Sequence, residues 1–128
     1  MRRFVLLLAL PLLLAVSGCY LFQPERFVVF FAPFSSDLDA PAKQVIATVG
    51  EKARQRPAAM VTVSGYASTS GTAAANQKLS ADRARTVEQA LVAAGVPASR
   101  ITRHALGEVD FTMDPIESRR VEITLGTN

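Results

Sequence analysis

Beyond residue 25 the hydrophobic positions switch between two periods. Arg26 to Phe31 is a short run rich in Phe and Val, which predicts a strand buried on both faces. Ala42, Val45, Ile46, Val49 and Ala53 then recur at helical spacing and mark one apolar face. Asp39 suits the N-cap of that helix and Pro41 its first turn, while Lys52, Arg54 and Arg56 complement the negative end of the helix dipole. Pro57 ends it. Ala59 to Gly65 predicts a second strand with Val61 and Val63 on one face, and the Ser-, Thr- and Gly-rich stretch Tyr66 to Gly71 a loop. A second helix is expected from about Thr72 to Ala94, with Leu79, Ala84, Val87 and Leu91 as its buried stripe, Gly95 as C-cap and Pro97 beyond it. Arg100 to Leu106 predicts a third strand and Arg119 to Leu125 a fourth, with Val121, Ile123 and Leu125 inward and a loop over 107–118 between them. Strand, helix, strand, helix, strand, strand is an α+β order, expected to place two helices on one face of a mixed four-stranded sheet.

The first eighteen positions follow neither period. Met1-Arg2-Arg3 is a short positive start, and Phe4 to Val16 is an apolar run interrupted only by Pro11. A spanning helix needs about 20 apolar residues, so this run reads as a secretory signal. Its junction, Val16-Ser17-Gly18-Cys19, is similar to the bacterial lipobox, in which a small residue precedes a Cys that becomes the lipidated first residue. Tyr20 rather than Asp follows it, which in lipoproteins of Gram-negative bacteria implies delivery to the outer membrane. The alternative is an ordinary signal followed by a free Cys. An oxidising compartment disfavours an unpaired thiol, and Cys19 is the sole cysteine, which favours lipidation. The expected organisation is a signal over 1–18, a lipidated tether over 19–25 and one domain over 26–126.

Composition narrows the function classes. The 128 residues allow one domain. The formal charge is +3, but removing Arg2 and Arg3 leaves 12 basic against 11 acidic residues, and these are interspersed. No basic stripe of the kind that binds nucleic acid is present. One Cys excludes clustered thiolates for zinc, and no cofactor is implied. His104 stands on a predicted strand with no acidic cluster beside it, a poor metal ligand. The Ser residues form no nucleophile elbow and the Gly residues no phosphate loop, so nothing here reads as an enzyme.

The segment Asn76-Gln77-Lys78-Leu79-Ser80-Ala81-Asp82-Arg83-Ala84 carries the strongest family signal: an Asn, then Leu-Ser, then Arg-Ala. Together with Phe27 to Phe31, Val63 to Gly71, Gly95-Val96-Pro97, Gly107-Glu108 and Arg119 to Ile123, in that order, it resembles the OmpA-like family of the peptidoglycan-associated lipoprotein type. The likeness covers roughly Phe27 to Leu125. It implies non-covalent binding of the peptidoglycan stem peptide, usually at meso-diaminopimelate, by an Asp in the loop after the second strand and an Arg on the second helix. A guanidinium offers a planar fork to a carboxylate, and a carboxylate partners an ammonium. With a lipid on Cys19, such a domain would face the periplasm and tether the outer membrane to the wall.

The resemblance carries the ligand-binding Arg onto Arg83 and the Asn near the helix start onto Asn76. The family's loop Asp falls on Ser68, its early Asp on or near Ala32, the Asn before its paired Arg on Ser118, and the aromatic before Asn76 on Ala75. Losing one partner of a buried charge pair costs about 2–5 kcal/mol, although Ser68 still accepts a hydrogen bond. A nearby carboxylate is a possible substitute; Asp37 and Asp114 lie in predicted loops, and the sequence alone does not place either at the site. Arg119 and Arg120 read as edge-strand charges, Arg120 with a structural ion pair. The competing reading is a degenerate OmpA-like domain that serves as a protein-interaction or assembly subunit of the envelope.

Overall fold

The computed structural model describes residues 23–108 and 116–126. Cys19, the apolar start and Asp114 lie outside them. Four strands, β1 (Glu25–Phe30), β2 (Met60–Ala67), β3 (Ile101–Glu108) and β4 (Arg120–Gly126), form one sheet in the order β1-β4-β2-β3. β4 is antiparallel to both neighbours and β2 pairs with β3 in parallel, so the sheet is mixed. The parallel pair is joined through α2 (Ala73–Ala93), while α1 (Ala40–Gln55) links β1 to β2. This is the α+β architecture the two hydrophobic periods predict. Among the described residues no helix is long and apolar enough to cross a membrane.

The local signals act as expected. Asp39 accepts the Ala42 N–H at 2.8 Å and caps α1, whose buried positions Ala42, Ile46, Val49 and Ala53 all belong to the core. Thr72 caps α2 by accepting from Ala75 N at 3.1 Å. The chain leaves α2 through paired bonds from Gly95 N to the Val92 carbonyl and from Val96 N to the Leu91 carbonyl, the Schellman arrangement. Arg100 then secures the far end of α1: its guanidinium donates to the carbonyls of Ala53, Arg56 and Ala59. β2 alternates strictly between half-buried and buried, with Val61, Val63, Gly65 and Ala67 inward. Val61 and Val63 join Val29, Val87, Leu91, Val121, Ile123 and Leu125 in a single core.

Four expectations are corrected. β1 is an edge strand with one buried face: Val29 is covered, whereas Phe30 is 45% exposed, because both helices lie on the same side of the sheet. β4 is central, so Arg119 and Arg120 do not decorate an edge. Arg120 is 8% exposed; it pairs with Glu122 at 2.8 Å, as expected of a structural ion pair, and stacks over the Tyr66 ring at 4.1 Å. Leu79 is not in the buried stripe of α2. Polar residues occupy its first half instead, with Asn76, Ser80 and Arg83 buried ahead of Ala84, Val87 and Leu91. The predicted loop over 107–118 starts later, since β3 continues to Glu108.

Candidate functional site

The C-terminal ends of β1, β2 and β3 and the N-terminal half of α2 meet at one end of the sheet, and Ser68, Asn76 and Arg83 all belong to that end. Arg83 is 0% exposed. Its Nε donates to the Ser35 carbonyl at 2.8 Å, one terminal nitrogen to the Tyr66 carbonyl at 3.1 Å and the other to the Ala32 carbonyl at 3.2 Å. The guanidinium lies 5.3 Å from the Phe31 ring centroid. Among the described residues no carboxylate pairs with it. Burial, and then repulsion from Arg119, push its pKa down to about 10. The side chain is a clamp, tying the β1–α1 loop to the end of β2 through main-chain oxygens. It is also a desolvated positive charge without an anion among the described residues.

The clamped loop holds a backbone outlier. Ser35 N bonds the Ala32 carbonyl at 3.2 Å, closing a turn in which Phe34 has φ 57. A bulky residue in the left-handed region costs of order 1 kcal/mol or more and persists where its surroundings over-determine it. Here Arg83 holds the carbonyls at both ends of the turn. The Phe34 ring gains no burial in return, being 79% exposed.

Asn76 is 4% exposed and donates its amide to Glu108 at 2.8 Å. A bulge makes that contact available. Gly65 pairs with Ala105 but Ala67 pairs with Glu108, so β3 carries one extra residue. Gly107 absorbs it at φ 66, a conformation that suits glycine. The Gly107 N–H is taken by Ser80 Oγ at 3.0 Å, while that hydroxyl donates to the Gln77 carbonyl at 2.8 Å. Ser80 and Glu108 thus position Asn76. The sequence reading attached no role to either, although both fall inside the quoted motifs. Ser68 is half-buried and follows directly on β2. Asp37 is exposed in the β1–α1 loop, where its N–H bonds Ser35 Oγ at 3.0 Å.

Beside these residues lies an open pocket of about 350 Å³ between Phe34 on the β1–α1 loop, Gly71 ahead of α2, and Asn76, Lys78, Leu79 and Asp82 on α2. Of the three residues singled out from the sequence, Asn76 lines it. Arg83 and Ser68 lie outside its wall. Lys78 and Asp82 form an ion pair at 2.5 Å one helical turn apart, and Arg85 approaches the same carboxylate at 3.5 Å. The Lys78 ammonium, hydrogen-bonded to it, holds the Asp82 carboxyl below the usual carboxylate range.

A two-helix layer on a four-stranded mixed sheet, with a polar site at the loop end, is the architecture that the sequence resemblance implies. The chain belongs to the OmpA family, whose model matches residues 30–121. It is 33% identical over 103 residues to the probable lipoprotein YiaD of Escherichia coli, an alignment covering 76% of this chain and 47% of that one. It is 36% identical over 92 residues to the peptidoglycan-binding protein ArfA of Mycobacterium tuberculosis, covering 64% of this chain and 27% of that one. The chain therefore spans about half the length of these curated relatives, or less. Among solved structures, the peptidoglycan-associated lipoprotein of Burkholderia pseudomallei superposes with a TM-score of 0.71 at 21% identity, over 77% of this chain and 88% of that one, a likeness of fold.

Proposed function

We propose that this chain is an outer-membrane lipoprotein, anchored through lipid on Cys19, whose OmpA-like domain binds the peptidoglycan stem peptide non-covalently and so ties the membrane to the wall. The observation that carries the reading is the loop-end site: a pocket lined by Asn76 beside a buried Arg83 that no carboxylate among the described residues pairs with. Arg83 would attract the ligand's carboxylate and hold the loops in place, Asn76 would orient the peptide, and Ser68 would accept a hydrogen bond where the resemblance places an Asp. A relative named for peptidoglycan binding and another named as a probable lipoprotein support it.

The test is sedimentation of the full chain, in detergent, with purified diaminopimelate-type sacculi. Retention in the pellet is the expected result, and Ser68→Asp should raise it by restoring a carboxylate to the loop. Cys19→Ser should move the protein out of the membrane fraction in cells. If neither the native chain nor Ser68→Asp sediments with sacculi, wall binding is excluded.

Phe34 gives a second handle on the same site. Phe34→Gly removes a ring that is already in solvent and suits the left-handed backbone, so it should leave stability unchanged or raise it by about 0.5–1 kcal/mol. Sacculus retention should fall, because the ring forms one wall of the pocket. A thermal melt run beside the sedimentation assay reads both; a large drop in Tm would contradict the account of the strained turn.

One observation favours the alternative, a degenerate domain acting as an envelope assembly subunit. All three Arg83 nitrogens are engaged by main-chain oxygens, and position 68 supplies no charge. Crosslinking in cells that captures peptidoglycan and no protein would dismiss it.

A further inference from the structure

The end of the sheet opposite the site is where the chain enters the fold. β1, β2 and β3 start there, at Glu25, Met60 and Ile101, and both helices finish there, with Ala94 lying against Gly50. This end is basic. The Glu25 carboxylate takes Lys52 at 2.9 Å and also Arg56. Arg54 pairs with Glu51 at 2.6 Å and stays 74% exposed. Arg26 is exposed on β1. Arg100 donates to neutral main-chain oxygens, which leave its charge uncancelled. These five cations against Glu25 and Glu51 give this end +3, whereas the other described residues carry seven basic and seven acidic groups. Beside the cations, Val92 to Gly95 and Pro97 to Ser99 are exposed, and no acidic residue stands between Glu88 and Glu108.

The tether that enters here is short. Five residues separate Cys19 from Glu25, a reach of at most about 20 Å. That is less than the breadth of a domain of about 100 residues, whose radius of gyration is about 13 Å. Tyr20, Leu21 and Phe22 within it have the composition of a membrane interface.

We propose that this basic end seats on anionic phospholipid headgroups, which fixes the orientation of the anchored domain and turns the loop-end site away from the membrane. The inference rests on lipid anchoring through Cys19 and is independent of what the site binds. A lipid anchor alone leaves a domain free to roll against the bilayer. Near an anionic surface each basic residue favours the seated state about fivefold, so a net +3 favours it by roughly a hundredfold at low salt. β1, β2 and β3 run away from the seated end, so Phe34, Ser68 and Asn76 stand on the side facing away from lipid.

The experiment uses lipidated protein purified from cell membranes and returned to vesicles. One set is phosphatidylcholine alone, the other equal parts of phosphatidylcholine and phosphatidylglycerol, and both contain a nitroxide-headgroup lipid as quencher. With Cys19 acylated, Ser99→Cys or Ser70→Cys supplies one thiol for a fluorophore, at the basic end or the loop end; both positions are exposed. In phosphatidylglycerol vesicles the label at 99 should be quenched several-fold more than the label at 70. The difference should vanish in phosphatidylcholine alone, and at about 1 M salt, where charges are screened beyond about 3 Å. It should also vanish in Arg26→Glu combined with Arg54→Glu, which takes this end from +3 to −1. Circular dichroism checks that this variant folds, and the lipid and salt comparisons do not depend on it. Equal quenching of the two labels in phosphatidylglycerol vesicles, or a difference that persists in phosphatidylcholine alone, overturns the seat while anchoring stands. If the purified protein carries no lipid and floats with neither vesicle, the anchoring reading falls and this inference falls with it.

Discussion

Replacing Arg83 by Ala is expected to lower stability by about 3 kcal/mol, and replacing it by Lys should not restore what is lost. Three main-chain carbonyls, those of Ala32, Ser35 and Tyr66, lose their donor at once. Each buried acceptor left unsatisfied costs about 1–3 kcal/mol, and the loop carbonyls recover part of that from water. For a domain of this size the loss corresponds to a fall in Tm of roughly 12–24 °C. The comparison with Lys separates charge from geometry. No carboxylate partners the guanidinium among the described residues, and its lowered pKa shows that burial opposes the charge. What the fold uses is the planar fork with donors in three directions, which an ammonium on a flexible stem does not reproduce. A Lys variant that melts within a few degrees of the native protein would show instead that the charge suffices. The same reasoning affects how binding is tested. Arg83→Ala perturbs the β1–α1 loop that carries Phe34, so lost sacculus retention in that variant alone would not distinguish a ligand contact from a collapsed loop.

Gly65→Ala is expected to be at least as damaging. A Cβ at position 65 would stand 2.2 Å from the Ser80 carbonyl oxygen and 3.0 Å from the Ala84 Cβ. The obstacle is helix backbone, so relief requires α2 to move away from β2 as a unit. That shift would also loosen the Ser80 hydroxyl from Gly107 and the Arg83 contact with Tyr66, since both depend on α2 lying tight against the strand. Overpacking of a core typically costs about 1–3 kcal/mol. A clash with main chain belongs at or above the top of that range. Urea denaturation of Gly65→Ala, beside the half-buried neighbour Ser64→Ala as control, measures the difference. Near-native stability of the Gly65 variant would mean that the helix–strand spacing is softer than the close approach implies.

Together these residues explain why the motif Asn76 to Ala84 reads as it does. Asn76, Ser80, Arg83 and Ala84 are the positions of α2 that turn inward at the loop end, and each is constrained by a specific neighbour: Glu108, Gly107, the carbonyls of Ala32, Ser35 and Tyr66, and Gly65. Lys78 and Asp82 lie on the outward side of the same turns. One helix segment therefore builds the site from beneath with buried polar groups and presents charges to the pocket from its rim.

The amino-acid sequence by itself determined the element order, because period-two runs such as Val61-Val63 and Val121-Ile123-Leu125 and the helical run Ala42 to Ala53 each admit one secondary structure in which the apolar atoms leave water. It also determined the helix ends, since Asp39, Thr72 and Gly95 act within a few residues of chain. The family was legible for the same reason, as an ordered set of local motifs. What remained for the tertiary structure was everything that depends on which side of an element has a neighbour. β1 became an edge with one open face, although Phe27 to Phe31 reads as apolar throughout. Arg83 became a buried clamp, because the three carbonyls it serves come from positions 32, 35 and 66, far from it in the chain. Leu79 left the core for the pocket wall, Asp82 joined it there, and Glu108 reached Asn76 only through a bulge in β3. Periodicity reports which atoms avoid water. It carries no information about which distant loop closes over them, and that closure decides where the charges of this site stand.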